Sequence, residues 1–376
     1  MVAATLKRKI KLSRSFSKAD THHMKTALGL AARGLGRVWP NPAVGCVLVN
    51  KGHVVGRGWT QPGGRPHAEY EALWRAGAQA KGATAYVSLE PCFHEGQTPA
   101  CARLLYDAGV KRVVIATKDP DTRTNGKSVK MLAKLGVTVE TGLLGKAARA
   151  LNEGYFKRTK YNRPMVTLKL ATSLDGKIAA EEGKQTWLTG EIAQKYSHRL
   201  RATHDAILTG VGTVVADDPL LTCRIEGLSE FSPVRYVLDT NLRIPPKSRL
   251  LQKEEEAPVV LITEEEKIPK QLQRLNFDTK ETININKLER VLETISNRGI
   301  TRLLVEGGSR VNASFLASGL VDHICWFRAD DQVLGAEAVP AFFERQARTF
   351  QDLPGYYKVR TRQAGTDSLE FVERLD

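Results

Sequence analysis

The chain of 376 residues has few cysteines and no long apolar run. Five cysteines, two of them in a metal-binding pattern, argue against a scaffold held by disulfides. No apolar stretch approaches the roughly 20 residues that are needed to span a membrane. Residues 1–18 hold six basic side chains and no acid, but no apolar core follows them as it would in a signal peptide. We therefore expect a disordered basic tail over 1–18 and a cytoplasmic protein.

Two further patterns are missing. The net charge is +15, yet the basic residues outside the tail are interspersed with acids, and no basic stripe with interleaved aromatic residues is present. The second half lacks a complete Gly-x-Gly-x-x-Gly, because Gly210-Val-Gly212 has no third glycine, which argues against a Rossmann domain. Basic residues also suit a phosphorylated substrate and an anionic cofactor. We therefore expect small-molecule ligands, with no nucleic-acid or membrane partner.

Three possible zinc ligands, His67, Cys92 and Cys101, lie in the stretch 63–101. One histidine and two cysteines leave the fourth position of a tetrahedral zinc open to water, as in catalytic sites. Glu69, two residues from the histidine, is the candidate for moving protons. His-x-Glu, then Pro-Cys, then a later Cys is the order found in zinc deaminases.

The local sequence predicts how these residues are presented. A helix over 68–80 puts His67 at its N-terminus, where the chain is not yet helical, because residues i and i+2 of a regular helix point apart. Thr98 as N-cap and Pro99 at the first helical position predict a second helix over 100–108. Its positive N-terminal end would favour a thiolate at Cys101.

The rest of the first half alternates strands and helices, which predicts an α/β sandwich. Asn41 lies between two prolines in an extended loop, where its amide could bind the edge of a base. The other predicted helices cover 20–36 and 128–135, and the predicted strands cover 46–50, 53–58, 83–89, 113–117 and 137–140.

Four motifs together resemble the deaminase half of the bifunctional riboflavin-biosynthesis enzymes. They are Pro40-Asn-Pro-Ala-Val-Gly, His67-Ala-Glu, Leu89-Glu-Pro-Cys-Phe-His-Glu-Gly-Gln-Thr-Pro-Ala-Cys and Asp119-Pro. Most zinc deaminases have Pro-Cys-x-x-Cys instead of this long spacing. Gln97 stands where the bacterial enzymes usually have Lys or Arg, and Asp121 where Asn is usual. The resemblance implies a cytidine-deaminase-like α/β/α sandwich over 19–150.

Residues 151–164 lose their apolar periodicity and become basic, which predicts a linker. A second α/β pattern then runs from 165 to 376. The turn from Glu306 through Gly308 joins a predicted strand to a predicted helix, an arrangement that can hold a phosphate on free backbone N–H groups. The predicted strands are 166–171, 205–209, 236–239, 259–262 and 302–305, the helices 191–202 and 310–318, and a hairpin is expected from 357–362 with 369–374.

Motifs of this second half resemble the reductase half of the same family, whose fold is similar to dihydrofolate reductase and which uses NADPH. They begin at Lys169, Trp187, His204 and Val305. The resemblance implies NADPH contacts from Ala171, Trp187, Thr213, Asp217, Gly308, Ser309, Arg310, Val311, Asn312, Ala313 and Ser314. It implies substrate contacts from Asn41 in the first half and from Gln185, Arg201, Leu221, Arg224 and Glu306 in the second. The family usually has Ser at the position of Gln185, and the segment 329–336 departs from its pattern.

The resemblance also implies two reactions and their substrates. Zinc would activate water, and Glu69 would move protons as 2,5-diamino-6-(5-phosphoribosylamino)pyrimidin-4(3H)-one loses ammonia. NADPH would then reduce the ribosyl group of 5-amino-6-(5-phosphoribosylamino)uracil to ribityl. The acid or base of the second step stays open between Lys177 and Asp175. Members of the family are often homo-oligomers.

Two other classes of protein remain possible from the sequence. A nucleic-acid-editing deaminase would account for the charge, but it should have Pro-Cys-x-x-Cys and a basic aromatic face. A non-enzymatic zinc module would need a fourth protein ligand, for which His94 is the nearby candidate.

Overall fold

The computed structural model describes residues 10–12, 16–95, 99–184, 186–273, 279–282, 287–343 and 347–375. Contacts divide the chain into two compact units, Met1–Tyr161 and Asn162–Asp376. Both units are mixed α/β, so the predicted fold class is confirmed. Within the described residues, every helix is too short or too polar to cross a bilayer.

Unit 1 contains a six-stranded sheet in the order β1-β6-β5-β4-β2-β3. Strand β2 runs antiparallel to β3 and β4, and the other neighbours are parallel. The strands are β1 (Ile10–Leu12), β2 (Gly45–Asn50), β3 (His53–Trp59), β4 (Thr84–Val87), β5 (Arg112–Ile115) and β6 (Thr138–Thr141). The helices are α1 (Lys18–Ala31), α2 (Ala68–Ala76), α3 (Cys101–Asp107), α4 (Lys127–Lys134), α5 (Gly145–Leu151) and α6 (Glu153–Tyr161).

Helices cover both faces of this sheet, which explains why β2 is apolar on both of its faces. Val47 belongs to the cluster that includes Met24 of α1, and Leu48 belongs to the cluster that includes Ala72 of α2. Neighbouring residues of a strand point to opposite faces, so one run of valine and leucine serves both layers. The result is an α/β/α sandwich.

Helix α6 covers most of the segment 151–164, which the sequence predicted as a linker. Tyr155 and Phe156 of α6 pack against the core that α2, α3 and α4 share. These two aromatic residues are adjacent and are surrounded by lysines and arginines. The sequence therefore shows no apolar periodicity from which the helix could be predicted. The domain boundaries at 150 and 165 stay predictions.

Unit 2 contains a nine-stranded sheet in the order β12-β11-β10-β9-β13-β7-β14-β17-β16, which is antiparallel only at β14-β17-β16. Strands β8 and β15 form a separate pair. The strands are β7 (Met165–Thr172), β8 (Lys177–Ala179), β9 (Ala206–Gly210), β10 (Val234–Leu238), β11 (Val259–Thr263), β12 (Thr279–Thr282), β13 (Arg302–Val305), β14 (His323–Arg328), β15 (Val339–Pro340), β16 (Tyr356–Ala364) and β17 (Asp367–Arg374). The helices are α7 (Glu191–Ala202), α8 (Val211–Asp217), α9 (Arg249–Gln252), α10 (Leu288–Asn297) and α11 (Ser309–Ala317).

Strand β14 was not predicted from the sequence. It pairs with β7 on one side and β17 on the other, so it joins the parallel part of the sheet to the C-terminal hairpin. Trp326 and Phe327 are adjacent and both fully buried, because both faces of this strand are covered. Its apolar run of four residues, 324–327, shows no alternation, and such a short run cannot be assigned to a strand or a helix from sequence alone.

Candidate functional site

His67 lies at the N-terminus of α2 with an extended backbone, φ −72° and ψ 159°. The helix starts only at Ala68, as the spacing argument required. His67 is therefore free to point in the same direction as Glu69, which a histidine inside the helix could not do.

The side chains of His67, Cys92 and Cys101 come together. His67 Nδ1 lies 3.3 Å from Cys101 Sγ and 3.7 Å from Cys92 Sγ, and the three ligand atoms are all within 4.8 Å of one another. Tetrahedral zinc with ordinary bond lengths separates a nitrogen and a sulfur ligand by about 3.6 Å. The three side chains therefore fit zinc without rearrangement.

The pKa values of the two thiols are shifted in opposite directions. Hydrogen bonding with Cys92 and burial raise the pKa of Cys101, against the expectation that the helix N-terminus favours a thiolate there. Hydrogen bonding from Cys101, with a smaller contribution from His67, lowers the pKa of Cys92 to about 4. The backbone N–H of Cys101 also donates to Cys92 Sγ at 3.2 Å. Helix α3 begins at Cys101 with Ala100 as its cap, one residue after the start predicted at Ala100, and the cap predicted at Thr98 is two residues too early. Thr98 and Gln97 lie outside the described residues.

Glu69 is 3% exposed. Burial raises the pKa of its carboxyl group to about 7, with a further contribution from the charge on Cys92. A carboxyl group with a pKa near neutrality can both accept and return a proton, which is what a general acid–base catalyst requires.

Asn41 lies beside the turn that leads to the zinc ligand His67. A Cβ placed on Gly64 would be 1.9 Å from Asn41 Nδ2, so the amide packs directly on this backbone. Gly63 and Gly64 both have positive φ, 77° and 83°, which glycine adopts readily.

The loop after β5 comes later in the sequence than all three zinc ligands. Glu90, next to Pro91-Cys92, accepts hydrogen bonds from Gly126 N at 2.9 Å and Ser128 Oγ at 2.7 Å. Asp121 pairs with Arg123, with Oδ2 2.9 Å from Arg123 Nε. This ion pair neutralises the acid that stands where the family usually has asparagine.

His94 is not part of the metal cluster. Among the described residues, the group able to hold a metal contains only His67, Cys92 and Cys101. The fourth ligand that a closed, non-enzymatic zinc module needs is therefore not supplied by His94.

Unit 2 contains a cavity of about 1740 Å³, which is large enough for a dinucleotide together with a second ligand. It is lined by the following predicted residues: Ala171, Trp187, Arg201, Thr213, Asp217, Leu221, Arg224, Glu306, Gly308, Ser309, Arg310, Val311, Asn312 and Ser314. Ala313 is not among the lining residues, since it lies on another side of α11. Gln185 lies outside the described residues.

One end of the cavity holds a largely buried ion pair. Arg201 Nε and NH2 donate to the two carboxylate oxygens of Glu306 at 2.8 and 2.9 Å. Lys169 Nζ lies 3.9 Å from Glu306 Oε2, and burial lowers the pKa of this lysine. The motif that begins at Lys169 also contains Lys177, and nothing in the pattern singled out Lys169. Its place on β7, next to β13, brings it to Glu306.

Two helix N-termini face the same cavity. Helix α8 starts after Gly210 and α11 after Gly308, and neither has a side-chain cap. Ser309 Oγ and Asn312 Oδ1 are buried there, and neither has a hydrogen-bond partner among the residues that the structure describes. Free backbone N–H groups at glycine-capped helix ends suit a pyrophosphate, so this part of the cavity fits NADPH.

Asp175 and Lys177 do not line the cavity. Lys177 Nζ donates to Ala336 O and Ala338 O, both at 3.1 Å, and Asp175 Oδ2 accepts from Gly335 N at 2.9 Å. Both side chains hold the segment 334–338 in place. Neither candidate from the sequence is therefore in position to exchange a proton with a ligand in the cavity.

A cysteine–histidine metal cluster beside a buried glutamate, followed by a unit with a nucleotide-sized cavity, defines a zinc-dependent deaminase joined to a reductase. Residues 17–117 match the family described as cytidine and deoxycytidylate deaminase zinc-binding region, and residues 164–367 match the RibD C-terminal domain.

Relatives cover nearly the whole chain. The riboflavin biosynthesis protein RibD of Aquifex aeolicus is 42% identical over 82% of this chain and 86% of its own length. That of Escherichia coli is 36% identical over 93% and 97%. A solved structure of Acinetobacter baumannii RibD has 35% identity and a TM-score of 0.86, covering 96% of this chain and 99% of its own.

The chain belongs to the RibD family, the bifunctional deaminase–reductases of riboflavin biosynthesis. The predicted family, the two predicted activities and the predicted cofactors, zinc and NADPH, are confirmed. Its substrates are small pyrimidines.

Proposed function

We propose that unit 1 deaminates 2,5-diamino-6-(5-phosphoribosylamino)pyrimidin-4(3H)-one and that unit 2 reduces 5-amino-6-(5-phosphoribosylamino)uracil. A Thermotoga maritima protein of 33% identity and TM-score 0.84, covering 95% of this chain and 99% of its own, is described as diaminohydroxyphosphoribosylaminopyrimidine deaminase/5-amino-6-(5-phosphoribosylamino)uracil reductase. The observation that carries the proposal is the cluster of His67, Cys92 and Cys101 beside the buried Glu69.

In the first reaction, zinc bound by His67, Cys92 and Cys101 supplies the Lewis acid that activates water. Glu69 accepts a proton from this water as its oxygen adds to the amino-bearing ring carbon. Glu69 passes this proton to the ring nitrogen, then takes the second proton from the hydroxyl group of the adduct and gives it to the amino group, so that the carbon–nitrogen bond breaks and ammonia leaves. Asn41 holds the edge of the base through its amide.

In the second reaction, NADPH supplies a hydride to C1′ of the ribosyl group when it is bound. The bond electrons between C1′ and the ring oxygen pass to that oxygen, which takes a proton. Lys169, rather than Lys177 or Asp175, is the proposed source of this proton, because it lines the cavity and burial lowers the pKa of its ammonium group. Despite burial, the charge on Arg201 lowers the pKa of Glu306, which therefore stays a carboxylate and positions Lys169.

The proposed cofactor residues all belong to unit 2. We assign the NADPH contacts to Ala171, Trp187, Thr213, Asp217, residues 308–312 and Ser314, and the substrate contacts to Gln185, Arg201, Leu221, Arg224 and Glu306. Arg224 is the better candidate for the substrate phosphate, since both donating nitrogens of Arg201 that face Glu306 are already engaged. Arg201 then acts by holding the carboxylate of Glu306.

A phosphorylated substrate and assembly into a homo-oligomer belong to this proposal, as does a cytoplasmic location. The net charge of +15 supports the first of these.

The test is to follow ammonia release from the diaminopyrimidine and NADPH oxidation in one reaction. We expect ammonia to appear without NADPH, and NADPH to be consumed only after deamination. Ammonia without any NADPH oxidation would contradict the assignment of unit 2, and the absence of ammonia from zinc-loaded protein would contradict the substrate assigned to unit 1.

A further inference from the structure

Asn152 lies beyond the zinc-binding region at residues 17–117, yet its side chain holds the loop that carries Asn41. Asn152 Oδ1 accepts from Ala43 N at 2.8 Å, and Asn152 Nδ2 donates to Ala43 O at 2.9 Å. One side-chain amide therefore pairs with both backbone polar groups of a residue two positions after Asn41. Asn152 is 4% exposed and Ala43 is 3% exposed, so water does not replace these bonds readily.

The backbone of Asn152 is fixed by the helices on either side of it. Its N–H donates to Ala148 O of α5 at 3.2 Å, and its carbonyl accepts from Phe156 N of α6 at 3.0 Å. The amide is therefore presented to the Asn41 loop from a rigid junction between two helices.

Tyr155, within the first turn of α6, holds the loop that contains Asp119 and Asp121. Its hydroxyl donates to Asp119 Oδ1 at 3.0 Å, and the same oxygen accepts from Asp121 N at 2.9 Å. Asp119 is 6% exposed. Glu90, beside Cys92, accepts from Asp119 N at 3.3 Å, so the loop is tied both to α6 and to the strand end that carries a zinc ligand.

We propose that Asn152 and Tyr155 are positioning residues of the deaminase, which hold the Asn41 loop and the Asp119–Asp121 loop in the arrangement that the pyrimidine requires. The inference rests on the proposed function, because it takes these two loops as contacts of the substrate. It extends the deaminase site to residues 152–155, which the sequence assigned to a linker.

Neither residue contacts a zinc ligand in the described structure, so their loss should affect substrate binding more than metal binding. We expect Asn152→Ala to raise the deaminase KM by roughly tenfold, with kcat changed by less than about threefold, because loop position rather than proton transfer is disturbed. Tyr155→Phe removes a single hydrogen bond and should raise KM by about threefold. Zinc content and NADPH oxidation on the uracil substrate should be unchanged.

Two matched controls separate positioning from general stability. Asn50→Ala removes another asparagine whose Nδ2 donates to loop carbonyls, those of Gln79 at 2.7 Å and Lys81 at 3.0 Å, at the opposite end of β2 from Gly45. Tyr106→Phe removes the hydroxyl of a side chain that packs against the same core cluster. This hydroxyl makes no hydrogen bond within the described residues. Both control variants should keep the wild-type KM.

The decisive experiment measures KM, kcat and zinc content of these four variants in the full chain, with amide hydrogen exchange of the segments 39–44 and 118–122. Faster exchange at 39–44 in Asn152→Ala and at 118–122 in Tyr155→Phe, each with a raised KM that neither control shows, would support the proposal. An unchanged KM in Asn152→Ala, or an equal rise in Asn50→Ala, would overturn it. If wild-type protein releases no ammonia, the substrate assignment fails, and unchanged exchange at 39–44 in Asn152→Ala would still overturn the positioning role by itself.

Discussion

At Glu69, opposing electrostatic effects set the protonation state. Burial and the charge on Cys92 raise the pKa of the carboxyl group, whereas the charge on His67 lowers it, and the outcome is a pKa of about 7. The catalytic property of Glu69 therefore comes from its position and not from the residue type.

We predict that Glu69→Gln keeps zinc but loses ammonia release by at least about a hundredfold, since the amide cannot accept or return a proton. Metal analysis and ammonia assays on the purified variant measure the two effects separately. NADPH oxidation on the deaminated substrate should be unchanged.

Glu71→Gln is the matched control for this change. Glu71 lies two residues further along α2 and pairs with Arg75 at 2.7 Å. Its variant should retain full deaminase activity. A Glu69→Gln protein that still releases ammonia at the wild-type rate would show that another group moves the proton.

At the scale of elements, glycines in β3 allow α2 to approach the sheet. A Cβ on Gly58 would lie 2.2 Å from Ala68 O and 2.7 Å from Ala72 N, so any side chain there must push the helix away. Because His67 immediately precedes Ala68, this contact also sets the position of a zinc ligand.

Gly58→Ala should therefore destabilise unit 1 by about 2–3 kcal/mol and weaken zinc binding. Thermal unfolding with and without added zinc, together with chelator competition, measures both effects. Gly29→Ala on the exposed side of α1 meets no atom within 4 Å and should be neutral or slightly stabilising, since alanine favours helix. Equal zinc affinity in the two variants would contradict the argument.

His204 connects two elements of unit 2. Its Nδ1 lies 2.7 Å from Leu200 O of α7, and its Nε2 lies 2.9 Å from Thr167 Oγ1 of β7. Burial, with smaller contributions from the charges on Arg302 and His323, lowers the pKa of this imidazole to about 3, although Leu200 O and Glu306 act in the opposite direction. The folded state therefore keeps this histidine neutral.

Because the unfolded histidine titrates near pH 6.5, the unfolded state binds the extra proton, and stability falls as pH drops from about 6.5 toward the folded pKa. We expect His204→Gln to reduce the slope of the unfolding free energy of unit 2 by up to about 1.4 kcal/mol per pH unit below pH 6. Urea unfolding at pH 7.5 and pH 5.5 measures this change in slope. Thr167→Val should lower stability at both pH values but keep the slope, and identical slopes in wild type and His204→Gln would contradict the linkage.

At the scale of the whole molecule, the sequence was most informative where one short segment carries the chemistry. His67, Glu69, Cys92 and Cys101 were predicted because their types and order match the needs of a zinc site. Their helix boundaries were nearly right because capping and apolar patterns are local.

Other contacts could not be predicted, because they join residues that are far apart in the sequence. Lys169 lies 3.9 Å from Glu306 only because β7 and β13 are neighbours in the sheet, and Asn152 meets Ala43 across 109 residues. The proton donors suggested from the sequence, Lys177 and Asp175, instead hold the segment 334–338 in place. No local pattern encodes which strands pair, so such partners emerge only from the fold.

The zinc ligands belong to Met1–Tyr161 and the residues that line the cavity belong to Asn162–Asp376, so metal removal should separate the two activities. We expect a strong chelator to abolish ammonia release while NADPH oxidation continues when the deaminated uracil substrate is given directly. Chelation should also lower the melting temperature of unit 1, because a ligand that binds only the folded state stabilises it. Restoring zinc should recover ammonia release. A parallel loss of NADPH oxidation on the supplied uracil would mean that unit 2 requires the metallated form of unit 1.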